Sequence, residues 1–434
     1  MRNKAKIALA ALTGVAGATV AARALSTDST LALLSEGYAF IPKRCARHGS
    51  DVFETRLMLT KAVCMTGEEA ARIFYEPGRF TRKGALPQTT LRLLQDRGSV
   101  QVMDGEAHRH RKLMFMSLMS PADIRRLADI MTDHWLDKVG KWEGVGNVVF
   151  FHEAEEILCR AACGWAGVPL SDSEAGQRTR EFSAMIEGAG TVGPRNWRGL
   201  VLRQKTERWI RDVVRKVRAG ELRVEEGSAA HVVAWHRDPD GKLLGTGVAA
   251  VELINVLRPV VAVARYVTFA ALALHEHPEC RRELRDGDDD HLELFVQEVR
   301  RFYPFFPLVG GRVLREFDWR RRHFAKGAWV LLDLHGTNHD PRIWGDPEAF
   351  RPERFRGWDV GAFSFVPQGG GDHYNGHRCA GERVTIELMK RAVRLLTESM
   401  SYEVPEQDLR IDLSRMPTLP KSGFVISNVR RTVG

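Results

Sequence analysis

Residues 363–390 read FSFVPQGGGDHYNGHRCAGERVTIELMK, a glycine-dense loop that runs into an amphipathic helix and carries Cys379 at the junction. At the start of a helix, the free backbone N–H groups and the helix dipole favour a thiolate. The glycines, Gly371 and Gly376 among them, would let the backbone approach a flat cofactor closely. Taken alone, the same pattern also fits a buried structural cysteine in a turn.

Basic residues accompany this cysteine. His377 and Arg378 directly precede it and could lie next to the thiolate or to the carboxylates of a cofactor. Upstream, His108 and Lys112 are four residues apart on one face of a predicted helix, and Arg82 follows a short apolar stretch. Before any other evidence, ordinary surface charge explains these last three residues equally well.

A second stretch, FVQEVRRFYPFFP at residues 295–307, places Glu298 and Arg301 at i and i+3 on one face of a predicted helix. Downstream, the turn RPERF carries Arg354, which could close a Glu–Arg–Arg network. A pair at this spacing is usually an exposed contact that contributes only about 0.3 kcal/mol. The order and spacing of the helix, the turn and the cysteine loop are what make the pattern specific.

The whole chain has the composition of a globular protein. It has 434 residues, 44% hydrophobic and 27% charged, and helical periodicity dominates, with few strand-like runs. No Pro/Gly/Ser linker follows residue 25, so we expect one mainly α domain over 26–434 with a small β portion. Its 64 basic and 55 acidic residues are interleaved, which favours a generally basic surface over a nucleic-acid site. The six scattered cysteines fit a reducing cytoplasm better than a disulfide framework.

Residues 1–25 differ from the rest of the chain, because three basic residues precede an Ala- and Gly-rich apolar run. A signal or anchor, a membrane-associated tail and a wrongly chosen start codon all fit this pattern. We expect any membrane association to involve these residues alone.

The E-x-x-R helix, the P-E-R-F turn and the loop ending GHRCAG resemble the cytochrome P450 superfamily, and the resemblance covers nearly the whole chain after residue 25. It implies a cytochrome P450 fold in a single large heme-binding domain, with Cys379 as the axial thiolate of heme b. It also implies structural roles beneath the heme for Glu298, Arg301 and Arg354, and contacts to heme propionates from Arg82, His108 and Lys112.

Two departures from the general family pattern stand out. The position seven residues before the cysteine, a Phe in ordinary members, is Asp372, and the nearest Phe is Phe365. In the long apolar helix predicted over 249–279, ordinary monooxygenases carry an acid followed by Thr, which deliver protons to iron-bound dioxygen. This chain has Arg258-Pro259 there, so that machinery is missing.

Both residues of this pair need compensation. A proline inside a helix costs about 3 kcal/mol, and a buried lone cation is expensive. A substrate carboxylate could pair with Arg258, which would pin the acid group beside the cofactor and supply acid–base chemistry. The alternative is a protein acid such as Glu252.

The Arg-Pro helix, with NVLRPVVAVA and LLDLHGTNHDPRIW, also resembles the bacterial fatty-acid peroxygenase group of this superfamily. In that group the Arg of the pair binds the fatty-acid carboxylate, here Arg258 with Pro259 beside it. Gln101 occupies a distal-side position where Gln is typical of hydroxylating members and His of the alkene-forming decarboxylase. Unlike His, Gln is not an imidazole-type proton donor.

The resemblance implies hydroxylation of long-chain fatty acids at C2 or C3, with hydrogen peroxide as oxidant and without NAD(P)H, a reductase or nucleic acid. No dinucleotide-binding fingerprint is present in the sequence. Three alternatives remain: a reductase-dependent monooxygenase, a decarboxylase that forms terminal alkenes, and a non-catalytic heme- or fatty-acid-binding protein. The sequence leaves open the acid chain length, the C2 to C3 ratio and the oligomeric state.

Overall fold

The computed structural model describes residues 28–96, 98–286, 289–357 and 361–432. The prediction for residues 1–25 therefore lies outside the described residues. The helices are α1 (Thr30–Glu36), α2 (Phe40–His48), α3 (Glu68–Phe74), α4 (Gln88–Leu94), α5 (Gly105–Met116), α6 (Pro121–Trp142), α7 (Phe150–Ala166), α8 (Asp172–Gly188), α9 (Pro194–Ala219), α10 (Ala229–Trp235), α11 (Thr246–Ala262), α12 (Ala264–Glu276), α13 (Pro278–Asp286), α14 (Asp289–Phe302), α15 (Leu334–Asn338), α16 (Pro341–Trp344) and α17 (Glu382–Arg394).

The strands are β1 (Val52–Leu57), β2 (Thr60–Met65), β3 (Phe80–Thr81), β4 (Asn147–Val149), β5 (Leu308–Val313), β6 (Phe317–Trp319), β7 (Arg322–Phe324), β8 (Trp329–Asp333), β9 (Met400–Glu403) and β10 (Val425–Arg431). They form a five-stranded sheet in the order β1-β2-β8-β5-β3, a three-stranded sheet β4-β10-β9 and the hairpin β6-β7. Strands β2 and β8 are parallel, and Ala62 pairs with Trp329 in their register; the other pairs are antiparallel. The five-stranded sheet thus has buried clusters of its own, whereas the three-stranded sheet packs into the much larger helical core.

The helix predicted over 249–279 is a buried core helix, divided into α11 and α12 at Val263. Pro259 has no N–H, so the hydrogen bond to the carbonyl of Asn255, four residues earlier, cannot form. One turn later the N–H of Val263 donates to the carbonyl of Val260 (3.1 Å), a tighter i to i+3 bond. Within the described residues, Thr246–Glu276 is the stretch long and apolar enough to span a membrane, but 78% of its most apolar window is buried in the fold.

The helix that follows Cys379 occupies the centre of the helical core. Its buried side, which includes Val384, Leu388 and Met389, packs against α6, α12 and α14. Burial of Leu and Met side chains contributes roughly 2 kcal/mol each, so this helix is held firmly. The loop that carries Cys379 is therefore attached to a rigid element.

Glu298 and Arg301 on α14 are completely buried and form a two-point ion pair, with Arg301 Nε 2.7 Å and Nη2 2.8 Å from the carboxylate oxygens. Arg354 Nε lies 3.2 Å from Glu298 Oε1, and the N–H of Arg351 donates to the same oxygen (2.8 Å). Arg301 also donates to the carbonyls of Asn338 and Pro347. One carboxylate thus joins α14 to the segment that precedes the cysteine loop.

We expect Glu298→Gln to destabilise the fold by about 3–5 kcal/mol, because it leaves the buried Arg301 and Arg354 guanidinium groups without a countercharge. Thermal denaturation measures this effect. The control is Glu68→Gln, which removes an exposed pair with Arg72 and should cost less than about 1 kcal/mol. Equal losses in the two variants would contradict the structural importance of the network.

Asp333, at the end of β8, is 1% exposed and accepts a hydrogen bond from the N–H of Gly336 (2.8 Å). Burial raises its pKa to about 7, although this bond and one from Thr66 act in the opposite direction. The folded protein therefore keeps a proton that the unfolded chain loses near pH 4. Its stability should fall as the pH rises through this interval and become constant above about pH 7.

In Asp333→Asn this pH dependence is removed. We expect the variant to gain thermal stability relative to the wild type between about pH 5 and about pH 8. Denaturation temperatures of both proteins at the two pH values measure the gain. A difference that is the same at both values would show that Asp333 does not bind the proton.

Candidate active site

Cys379 lies at the inner end of its loop, where Gln368 anchors it. The N–H of Cys379 donates to the Gln368 carbonyl (3.2 Å), and Gln368 Nε2 lies 3.8 Å from Cys379 Sγ. Burial and the carboxylate of Glu382 raise the pKa of the thiol, whereas the N–H of Gly381 and two nearby cations lower it. Burial therefore opposes the thiolate, and the N–H of Gly381 at the helix start favours it. A coordinated metal ion would deprotonate the thiol outright.

Beneath the loop, Glu382 binds two arginines. Arg378 Nε donates to its carboxylate (2.6 Å), and Arg300 on α14 donates to the other oxygen. Burial alone would raise the pKa of Glu382, but Arg300 and Arg378 together lower it to about 2. Arg378, predicted to lie beside the thiolate or a cofactor carboxylate, is thus engaged mainly by a protein acid. Arg300, which the sequence analysis did not single out, also donates to Gln368 Oε1 (3.2 Å) and connects the loop to α14.

Lys112 on α5 reaches the same loop from the other side. It is 3% exposed, and its Nζ donates to the carbonyls of Gly376 and Arg378, the latter at 2.9 Å. Burial lowers its pKa to about 8. Two of its three donors hold the loop, which leaves one for the predicted propionate contact.

His108 and His377 lie in contact, with ring centroids 4.1 Å apart and the ring planes tilted by 39°. Burial, with Lys112 nearby, lowers the pKa of His108 to about 4, and burial with Arg82 lowers the pKa of His377 well below its usual value. Both rings are neutral N–H donors at pH 7. Arg82 lies over the ring of Phe74 at 4.3 Å and donates to the carbonyl of Gly310 (2.7 Å).

The loop glycines also allow close packing within the chain itself. A Cβ on Gly371 would lie 3.0 Å from Tyr75 Cβ, and one on Gly370 would lie 2.7 Å from the carbonyl oxygen of Ala362. At Gly376 a Cβ would meet the carbonyl oxygen of Asp372 at 2.7 Å. These contacts are shorter than a Cβ tolerates, so the glycines allow the loop to pack on itself and on Tyr75.

Arg258 is 6% exposed, yet the structure gives it no acid partner among the described residues. Its Nη1 donates to the carbonyl of Leu93 (3.2 Å), and its Nη2 donates to Leu94 O and to Asn255 Oδ1 (3.3 Å). Burial and the like charge of Arg203 lower its pKa to about 9, so it remains a cation at pH 7. Three of its five N–H donors are engaged, and two remain.

Glu252, the alternative partner considered from the sequence, binds elsewhere. Its Oε1 accepts from Arg111 Nη1 and from the N–H of Val100, both at 2.8 Å. Its Oε2 accepts from Asn255 Nδ2 (3.1 Å). The pairing of Glu252 with Arg258 is therefore wrong, and Arg111 takes its place.

Pro259 is accessible although both of its neighbours, Arg258 and Val260, are 6% exposed. Neighbouring side chains therefore leave helix α11 uncovered at this residue. Gln101 lies at the same level and accepts from Asn255 Nδ2 (3.2 Å) through its Oε1. The segment from Gln101 to Lys112 thus runs from the Arg258 helix to the Cys379 loop and connects the two halves of the site.

This donor set fits a heme. Cys379 is partly accessible and its Sγ has a single weak side-chain contact, from Gln368. Next to it, Arg82, His108, His377 and one proton of Lys112 offer N–H donors suited to two propionates. The Cys379 loop and the helix that packs on it would thus supply a thiolate ligand for the heme iron.

Sequence reasoning missed several residues of this site: Asn255, Arg203, Arg300, Gln368 and Glu382. A signal existed for one of them, since Glu252, Asn255 and Arg258 are spaced by three residues along one helix. Arg203, on α9, donates to the same Leu93 carbonyl as Arg258 (3.5 Å) and leaves its Nη2 without a partner among the described groups. No local sequence pattern predicts a contact between helices so far apart in the chain.

The model of the family described as Cytochrome P450 matches residues 290–427. Among curated proteins, Cytochrome P450 3A11 of Mus musculus is 25% identical over 187 residues, which are 38% of this chain and 36% of that protein. This chain therefore aligns with little more than a third of that relative's length. Putative cytochrome P450 120 of Synechocystis sp. is 23% identical over 422 residues, 89% of this chain and 91% of that one.

Solved structures match almost the full length of this chain, among them three complexes with small molecules. Cytochrome P450SP alpha in complex with (R)-ibuprophen has 49% identity and a TM-score of 0.91, covering 93% of this chain and 99% of that one. Cytochrome P450EX alpha with myristic acid has 42% identity and a TM-score of 0.90, and a variant of cytochrome P450 OleT in complex with arachidonic acid has 33% and 0.91. Each of these two covers 94% of this chain and 98% of the matched chain.

These matches confirm the predicted fold, in which one mainly helical domain surrounds a cysteine loop. They also agree with the resemblance found in the E-x-x-R helix, the P-E-R-F turn and the GHRCAG loop. With 49% identity over nearly all of both chains, this chain belongs to the cytochrome P450 family and is a heme-thiolate protein.

Proposed function

We propose that this protein is a peroxygenase that hydroxylates long-chain fatty acids at C2 or C3 with hydrogen peroxide. The observation that carries the proposal is Arg258, a buried guanidinium without an acid partner among the described side chains and with two free N–H donors. A carboxylate would satisfy both its charge and its donors. The ligands named for the three solved relatives, ibuprophen, myristic acid and arachidonic acid, are all carboxylic acids.

Cys379 would be the axial ligand, while Arg82, His108, His377 and Lys112 would hold the propionates. When bound, a thiolate-ligated heme iron supplies the cleavage of an O–O bond. Arg258 would fix the acid group of the substrate, so that C2 and C3 are the first carbons beyond it. Because Pro259, next to Arg258, is accessible, this anchor would leave room for the acyl chain along this side of α11.

Proton transfer during peroxide activation needs a group that can take and return a proton. Gln101 is neutral at all relevant pH values and cannot do so, and Arg258 is a donor-only cation at pH 7. The substrate carboxylate, held at Arg258, would serve as the base at one of its oxygens. The fatty acid thereby replaces the acid and Thr that ordinary monooxygenases provide, and no reductase or NAD(P)H is needed.

Gln101 favours hydroxylation over decarboxylation, since a His at this position would offer a second proton donor. We also infer a cytoplasmic location, because all six cysteines are free in the structure. The basic residues of the site are directed to carbonyls and acids of the chain itself, and we propose no nucleic-acid partner.

Arg258→Leu should lower kcat/KM for a long-chain acid by roughly a thousandfold, because the carboxylate loses its charged partner and the proton acceptor is no longer positioned. The assay uses purified, heme-loaded protein, a long-chain acid and hydrogen peroxide, with products identified by mass spectrometry. The heme spectrum and the denaturation temperature should stay near wild type. As a control, Arg72→Leu removes an exposed arginine and should leave turnover unchanged.

The same assay separates the alternatives. A 2- or 3-hydroxy acid is the expected product; a hydrocarbon one carbon shorter would identify the decarboxylase, and turnover only with NADPH and redox partners would identify a monooxygenase. Heme and fatty-acid binding without any product would identify a binding protein. An Arg258→Leu variant as active as the wild type would overturn the proposed anchor.

A further inference from the structure

Asn255 lies at the centre of a buried polar chain on α11. It is 6% exposed, one turn before Arg258 and one turn after Glu252, and it contacts both of them. It also contacts Gln101, which comes from a different segment of the chain. Among the described residues, these three side chains are its hydrogen-bond partners.

The chemistry of the partners fixes which way this amide faces. Arg258 can only donate, so it must meet the amide oxygen, Asn255 Oδ1. Glu252 meets Nδ2, since its carboxylate accepts from that nitrogen as well as from Arg111 and the N–H of Val100. In the reversed orientation, Asn255 Nδ2 would face the donor Nη2 of Arg258, and Asn255 Oδ1 would face the acceptor Oε2 of Glu252. Neither contact could be a hydrogen bond.

Glu252 is itself held firmly. It is fully buried, and Arg111, 2% exposed, joins it to Asp238 on the surface through a 2.5 Å hydrogen bond. The second N–H of Asn255 Nδ2 donates a hydrogen bond to Gln101 Oε1 (3.2 Å). One amide thus fixes the direction of a guanidinium and of a second amide at the same time.

We infer that Asn255, held by Glu252, is a positioning residue that presents Arg258 to the carboxylate of the substrate. This inference deepens the proposed function and depends on it. Asn255 accepts a hydrogen bond from one N–H of Arg258 Nη2, and the carbonyls of Leu93 and Leu94 accept two more. The guanidinium plane is therefore fixed at three points, which also fixes the direction of its two remaining N–H groups. A short neutral acceptor holds the plane without neutralising its charge.

The test compares Asn255→Asp with Asn255→Ser. Aspartate would place a protein carboxylate against Arg258, in competition with the substrate; serine is too short to reach both Arg258 and Glu252. We measure dissociation constants for dodecanoate and for 1-dodecanol, which has a chain of the same length without the charge. We expect dodecanoate binding to weaken on the order of a hundredfold in Asn255→Asp and roughly fivefold in Asn255→Ser, with 1-dodecanol changed less than about twofold in both.

A merely structural role for Asn255 predicts a different result, in which both probes weaken together; that outcome, or unchanged dodecanoate binding, overturns the inference. Asn428→Asp is the matched control, since it makes the same exchange at an exposed site beside Glu403, and neither probe should respond. If Asn255→Asp does not fold, the ratio of the two constants in Asn255→Ser decides. Dodecanoate binding by Arg258→Leu distinguishes failure of the proposed function from failure of this inference. Wild-type affinity in Arg258→Leu would refute the Arg258 anchor. Weak binding in Arg258→Leu, together with wild-type affinity in the Asn255 variants, would refute only the role of Asn255.

Discussion

The constraint on which the site depends is the burial of the Arg258 cation without an acid partner among the described residues. Most buried charges in this fold are paired: Arg301 with Glu298, Arg300 and Arg378 with Glu382, and Arg111 with Glu252. Arg258 instead relies on two backbone carbonyls and a side-chain amide, and the nearby charge of Arg203 makes its position less favourable still. Desolvating such a charge costs several kcal/mol, and a bound carboxylate would recover much of that cost. Binding of a carboxylate would thus offset part of the cost of burying this cation.

The paired charges provide the rigidity that this arrangement needs. Two neighbouring arginines on α14 hold different parts of the site. Arg301, paired with Glu298, fixes the segment before the cysteine loop. Arg300 fixes the loop itself through Glu382 and Gln368. Lys112 holds the loop from α5, and the same segment reaches Asn255 through Gln101. The cysteine loop and the guanidinium are therefore each positioned by buried polar contacts, and the segment from Gln101 to Lys112 connects the two groups. Such contacts have fixed directions, unlike apolar packing, so they define geometry as well as stability.

The sequence carried much of this architecture because several determinants are local. Glu298 and Arg301 are three residues apart, and Arg258 and Pro259 are adjacent in an apolar helix. The pairing of Glu298 with Arg301 and the burial of Arg258 could therefore be predicted from the sequence. The strand-like runs DVFETRLMLTKAVCMT, WVLLDL and SGFVISNVRR were equally visible in the sequence, and they contain β1, β2, β8 and β10. Contacts between distant segments were not: Glu382 with Arg300, Gln101 with Asn255, and the loop glycines with Tyr75 depend on how helices and loop meet in space. The extent to which burial opposes the Cys379 thiolate could not be predicted for the same reason, since burial is set by tertiary packing.

The position of the acid group in a complex with a long-chain fatty acid is the most direct test of this account. A crystal structure of the heme-loaded protein with such an acid should place a carboxylate oxygen about 2.7–3.2 Å from a guanidinium nitrogen of Arg258, with Asn255 still accepting from the same group. A fatty acid whose carboxylate lies elsewhere, or an Arg258 turned away to pair with an acid of the protein, would contradict it.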